Sequence, residues 1–288
     1  MSSQSRNISF NIDLNRYLKS SKKNISRVSG RLDDYLRDAN AENIHDIRTA
    51  LRRLDSSYRS LPGNVRNKNK IKKYLGKSKD LFRINSRIRD YDIIAEKVRQ
   101  YSDGNGNVTK ILEERLENAR KKKLEEAKVL AVALRKMKLP KLKQSKISER
   151  KLNKRYNKLV DKFASRIEMN FPVVITNSDK IIELHEMRKD CKKLRYLLEL
   201  LGPDGANTKS VSQLIEQLQK AQDRLGAIHD YDTVVAYLKH RPRNRGIEGI
   251  VHDFIEERKR RYEEFRNYFK TDLSHTNDNF FVNIWKIV

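Results

Sequence analysis

Two ten-residue stretches, HDIRTALRRL at 45–54 and HEMRKDCKKL at 185–194, carry a histidine, three basic residues and a leucine at one spacing, 140 positions apart. A second pair, RDYD at 89–92 and HDYD at 229–232, follows each histidine at the same interval, 44 positions. Basic clusters recur by chance in a chain this rich in Lys and Arg. Two unlike motifs that share both an internal offset and a period do not. The chain therefore reads as an internal duplication, with units at residues 1–143 and 144–288. Whatever this sequence folds into must be built twice.

Chain breakers are sparse. The 10 Gly and 5 Pro gather at Pro62–Gly63, DGNGN at 103–107, Pro140, Pro172, GPDG at 202–205, and Pro242 with Gly246. The stretches between them have helical period. Residues 108–138 set Ile111, Leu112, Leu116, Ala119, Leu124, Ala127, Leu130 and Leu134 on one stripe of a long helix, and residues 247–270 read as its counterpart. Each unit then holds about four helices: an N-terminal one, the one bearing HxxR, a third running toward (R/H)DYD, and a long fourth. The expected fold is all-α, two four-helix bundles. Two stretches have strand-like content: FPVVIT at 171–176 is read as an extended linker and FFVNIWKIV at 280–288 as a tail over the core.

On a helical wheel with His45 at zero, Ile47, Leu51, Leu54, Tyr58 and Leu61 fall between about 160° and 240°, while Arg48, Arg52 and Arg59 fall between about 300° and 340°. The second copy repeats both arcs. Met187, Cys191, Leu194, Leu198 and Leu201 take the apolar one; His185, Arg188, Lys192 and Arg195 take the basic one. Asn40 and Ser178 are the expected N-caps, which puts both histidines in the first two turns, where free N–H groups and the helix dipole favour an anion. Arg supplies forked donors for phosphate oxygens, Lys a point charge, and His a donor that gains charge when phosphate raises its pKa. From His45 to Arg52 is about 10 Å of helix axis, enough to meet several groups of an extended ligand.

Charge points the same way: 64 Lys and Arg against 38 Asp and Glu leave +26, which repels itself unless a polyanion neutralises it. Nucleic acid, an anionic membrane surface and an inorganic polyanion are the classes this admits. With one cysteine, Cys191, no intramolecular disulfide can form, which fits a reducing compartment; the expected location is the cytoplasm. No signal-like leader is expected in MSSQSRNISF, and the longest clean apolar run, VLAVAL at 129–134, is too short to insert into a bilayer.

Asp90, Asp92, Asp230 and Asp232 are expected to pair with the basic arcs and hold those side chains in place. Metal ligation by His185, His229, Asp230 and Asp232 is not expected, since the first unit has Arg89 where the second has His229. Cys191 stands where the first unit has Leu51 and reads as core. No Gly-rich phosphate loop, HExxH, GxSxG or catalytic carboxylate pair is present, so neither an enzyme nor a cofactor is expected.

At HDIRTALRRL with RDYDIIAEKV, and LHEMRKDCKKLRYLLELLG with LIEQLQKAQDRLGAIHDYDTVVAYL, the chain resembles the two halves of a CHAD domain, the conserved histidine α-helical domain. The resemblance implies two four-helix units about a pseudo-twofold axis, a basic central cavity and binding of inorganic polyphosphate, with polyphosphate granules as a place of association. It implies His45, Arg48, Arg52, Arg53 and Arg89, then His185, Arg188, Lys192, Lys193, Arg195 and His229, as ligand residues, to which the wheel adds Arg59. Lys192 and Lys193 depart from the arginines usual in the family, and His229 from its usual Arg or Asn. The acidic ExExK stretch of the triphosphate-tunnel domain that often accompanies CHAD is absent, so polyphosphate hydrolysis or synthesis is not implied. Three other readings stand beside polyphosphate binding: a nucleic-acid-binding helical protein, which the lack of interleaved stacking aromatics disfavours; an enzyme acting on a phosphorylated substrate; and a protein scaffold.

Overall fold

A computed structural model describes residues 10–101, 107–138, 142–201, 209–241 and 245–274. The described residues are helical throughout: α1 (Leu14–Arg37), α2 (Ala41–Arg59), a single turn α3 (Gly63–Arg66), α4 (Asn69–Gln100), α5 (Asn107–Lys136), α6 (Glu149–Thr176), α7 (Ile181–Leu198), α8 (Lys209–Lys239) and α9 (Arg245–Ser274), with 3-10 turns at Gln144–Lys146 and Glu199–Leu201. The tail at 280–288, and the expected breaks at Pro140, GPDG and Pro242, lie outside the described residues.

Helix starts follow local chemistry. Asp13, Asn40 and Ser148 cap α1, α2 and α6, each accepting a backbone N–H three residues on. Ser178 does not cap α7, contrary to its expected role. That helix begins after Lys180, which offers no capping side chain, because Asn177 Oδ1 takes the Asp179 N–H (2.8 Å) and prolongs the turn. His45 and His185 are nonetheless both the fifth residue of their helices.

FPVVIT is helical, not extended: α6 runs through Pro172 to Thr176. The β-branched run argues for strand locally, but Phe171 and Val174 share a face that is buried against α9. Phe171 meets Phe269 edge-on at 5.3 Å, and Tyr262 donates to the Val174 carbonyl at 3.0 Å. Tertiary burial outweighs propensity here. The (R/H)DYD motifs lie within α4 and α8, each of which continues seven or eight residues past its motif.

Within each half consecutive helices pack: α1 with α2, α2 with α4 and α4 with α5; then α6 with α7, α7 with α8 and α8 with α9. Between halves α2 meets α7, and α4 meets α8. The apolar arcs of α2 and α7, from Ile47 to Leu61 and from Met187 to Leu201, are buried in a core that both halves build. A second core joins Ile94, Val98, Leu112 and Leu116 to Tyr231, Val234, Ile250 and Phe254.

Several contacts occur in each half with matching roles. Tyr17 donates to the Ser57 carbonyl and Tyr156 to the Leu197 carbonyl, so a buried tyrosine on α1 or α6 ties down the end of α2 or α7. Arg120 on α5 pairs with Asp92 and with the Ala39 carbonyl, while Arg258 on α9 pairs with Asp232 and with the Ser178 carbonyl.

Candidate anion-binding site

The basic arcs of α2 and α7 face a common region into which α4 and α8 bring Arg89, Asp90, His229 and Asp230. Arg48 lies within electrostatic reach of Arg52 on its own helix, Asp90 and Arg89 on α4 and Arg188 on α7. Lys192 has Arg188, Arg52, Arg48 and Asp230 around it. Four helices thus contribute to one cluster. Arg48, Arg52, Arg89, Arg188 and Lys192 have no ion-pair partner among the described residues, and the Nε atoms of Arg48 and Arg188 are buried without a hydrogen-bond partner. Asp90 and Asp230 supply the nearest negative charge.

Burial and mutual repulsion set the protonation states. Burial first, then Arg188 and the α2 arginines, pushes Lys192 down to about 6. Burial, then Arg52, pushes Arg48 down to about 9. His229 falls to about 3, from burial and then Arg188. His45 and His185 are lowered, again by burial first. Asp90 and Asp230 are raised by burial, which outweighs the pull of Arg48 and Arg188. The cluster thus sheds charge that an incoming anion would restore. His185 and His229 meet edge to face at 4.6 Å between ring centres. Thr233 Oγ1 donates to the His229 carbonyl (2.9 Å) and so accepts from His229 Nδ1 (3.2 Å), leaving Nε2 as the titrating nitrogen.

Other candidates are engaged elsewhere. Arg53 pairs with Glu199 at 3.1 Å, and Arg195 with the same carboxylate at 2.6 Å and with Gln222 at 3.3 Å. Lys193 pairs with buried Asp190 at 2.9 Å, and Arg59 with Asp55 on the surface at 2.7 Å. Asp92 and Asp232 do not pair with the α2 and α7 arcs as expected. They bind Arg120 and Arg258, whose second nitrogens reach the carbonyls just before α2 and α7, so these pairs fix where those helices begin.

Sequence reasoning missed Arg120 and Arg258 because they are 138 apart, so the 140-residue period points from Arg120 to Arg260, a surface residue paired with Glu257. It also missed two rings. Phe82 on α4 lies under Arg52 (4.9 Å) and Arg48 (5.7 Å), and buried Tyr196 lies between Arg195 (4.6 Å) and Arg53 (5.6 Å). These rings lie within cation–π reach of the guanidinium groups and help to position them. Gly226, inside the LGAIHDYD stretch, leaves space beside Arg188: a Cβ there would touch Nε at 3.7 Å. A cleft of about 780 Å³ opens between α4 and α5 and meets the cluster at Arg89. No helix among the described residues is long and apolar enough to cross a membrane.

The described residues thus form an all-helical fold in which basic helices converge on a buried cationic centre. A family model for the CHAD domain matches residues 21–239, and the chain belongs to that family. Its fold is similar to that of the crystal structure of the CHAD domain from the plant Ricinus communis, with a TM-score of 0.57 at 12% identity, covering 100% of this chain and 96% of that one. A search of curated proteins finds no match.

Proposed function

We propose that this chain binds inorganic polyphosphate without transforming it, on the convergent arcs of α2 and α7. In this reading the two units, divided near residue 143, are copies related by a pseudo-twofold axis, and the ligand lies in a basic central cavity between them. Family membership supports the ligand class. The repeated tyrosine and arginine contacts support the symmetry. The observation that carries the reading is the convergence of Arg48, Arg52, Arg89, Arg188 and Lys192 on one region without an ion-pair partner among the described residues, with Arg48 and Arg188, at matching positions of two helices that touch, also leaving buried Nε atoms without an acceptor. A buried donor without an acceptor costs on the order of 1–3 kcal/mol, and a phosphoryl oxygen would satisfy it. Arg52, Arg89 and Lys192 add charge, and the three histidines gain protons as the anion arrives. Asp90 and Asp230 lie within electrostatic reach of Arg48 and Arg188 and limit their repulsion before the ligand binds.

The test is binding of long-chain polyphosphate, with single-stranded RNA and duplex DNA as competitors at matched phosphate and fixed salt. Polyphosphate is expected to win, to bind in the presence of a chelator, and to show a log–log salt slope at least as steep as about −4, the share of roughly six contacts at this site. Arg48→Ala with Arg52→Ala, and Arg188→Ala with Lys192→Ala, are each expected to weaken binding severely, and all four together to cost less than the two losses summed, because an extended chain bridges both arcs. Replacing Lys121, Lys122, Lys123 and Lys128 on α5 is the control for bulk charge. Equal loss from control and site variants overturns the assignment.

A further inference from the structure

The cationic centre is not the only basic concavity. Between Asp13 and Asp33 the chain has no acidic residue, while Arg16, Lys19, Lys22, Lys23, Arg27 and Arg31 fall in that span. Helical spacing lines up Lys19, Lys23 and Arg27, and with Lys22 and Ser26 they line a shallow, open groove between side chains of α1 alone. Lys19, Lys22 and Lys23 are exposed, and neither they nor Arg27 have an ion-pair partner among the described residues. Other exposed faces differ among themselves: α5 and α9 interleave Lys and Arg with Glu three and four residues away, whereas the first turns of α4 carry Lys70, Lys72, Lys73 and Lys79 with no acidic residue before Asp80, so what sets the α1 run apart is its contact with the centre.

The groove is joined to the central cluster by a continuous set of contacts. Arg27 Nη1 donates to Asn24 Oδ1 at 3.4 Å, buried Asn24 donates to Ser57 Oγ at 2.8 Å, and Ser57 Oγ donates to the Arg53 carbonyl at 3.0 Å. Arg53 shares the Tyr196 ring with Arg195, and Arg52 lies against the Tyr196 hydroxyl. Cations thus run from Arg188 and Lys192 through Arg52, Arg195 and Arg53 to Arg27, Lys23 and Lys19. Glu199, bridging Arg53 and Arg195, interrupts the line.

We propose that the α1 groove is a second subsite for the same ligand, on which a polyphosphate chain too long for the centre continues past Arg53 onto Arg27, Lys23, Lys22 and Lys19. This rests on the polyphosphate reading of the centre. Lys19 to Arg27 spans about 12 Å of helix, so the groove engages several phosphates in a row. None of its walls is aromatic, which favours a bare phosphate chain over one with bases to stack.

The test compares tripolyphosphate with long-chain polyphosphate on the full chain and on Lys19→Ala/Lys22→Ala/Lys23→Ala/Arg27→Ala, which keeps the helix because Ala is its best former; circular dichroism checks this. The groove variant is expected to hold tripolyphosphate within about twofold of the parent. It is expected to lose about tenfold or more for the long chain, with a salt slope shallower by about 3. An equally charged control, Lys70, Lys72, Lys73 and Lys79 to Ala on α4, is expected to change both ligands by less than about threefold. Equal losses for short and long chains, or for groove and control variants, overturn the subsite. So does an unchanged long-chain affinity, and so does single-stranded RNA outcompeting long polyphosphate for the groove. A parent protein that binds neither polyphosphate refutes the central reading itself, a result that cannot be confused with failure of the groove alone.

Discussion

Lys192 lies among Arg188, Arg52 and Arg48 with Asp230 to offset them, and its ammonium titrates near 6 instead of in the usual lysine range. Since its folded pKa lies below its unfolded one, the unfolded chain holds more protons between the two values, and stability should rise as pH increases above about 6. Lys192→Met should flatten that rise and stabilise the free protein near pH 6 by about 1–3 kcal/mol, as seen when a strained buried charge is replaced by an apolar side chain of similar size. Urea unfolding at pH 6 and pH 9 measures both. The same substitution should weaken polyphosphate binding, and parent binding should tighten as pH falls toward 6 with proton uptake, read by calorimetry in buffers of different ionisation heat. A destabilised Lys192→Met protein would contradict this account. At this scale the sequence makes the stripe legible, because spacing alone puts His45, Arg48 and Arg52 on one arc. It does not show what Arg53 and Lys193, which the wheel sets off that arc, meet instead: Arg53 pairs with Glu199 of the other half, and Lys193 with Asp190 one turn back on its own helix.

Helix placement depends on Arg258 and Arg120, each of which clamps a carboxylate on α8 or α4 and a carbonyl at the entry to α7 or α2. Arg258 is 8% exposed, so Asp232→Ala leaves a nearly buried cation without its counter-charge and should cost about 3 kcal/mol. Asp232→Asn/Arg258→Met should recover much of that loss, since removing both partners strands neither. Thermal unfolding of the three proteins decides it, and a double variant less stable than the single one would show that the pair does more than neutralise itself. Among the described residues each of the eight long helices buries apolar residues at helical spacing, which is why the all-helical fold is legible in the sequence. What could not be read is where tertiary contacts override local preference, as Phe171 and Val174 do against α9, or where a turn residue, Asn177, shifts the start of α7 by two positions.

Across the whole molecule both cores mix residues from before and after the proposed division near residue 143, and Asn153 and Asn157 of α6 hold the backbone of Ile12 and Phe10. A repeat in sequence is therefore not a pair of independent folding units. Neither half can hide its apolar surface alone, so unfolding should be one transition in which far- and near-ultraviolet signals coincide. The repeated motifs show which stretches match and not how the parts lean on each other. Cys191 gives this dependence a clock. It is the chain's only thiol, fully buried on α7 directly before Lys192, and burial raises its pKa far above the ordinary thiol range. A thiol reagent can reach it only when the surrounding helices part. Its labelling rate in native buffer should therefore track the free energy of global unfolding measured with urea, and should slow in proportion to polyphosphate concentration once that exceeds the dissociation constant. Labelling much faster than global unfolding allows would reveal α7 opening on its own, and the molecule would then have a hinge where the packing shows a seam.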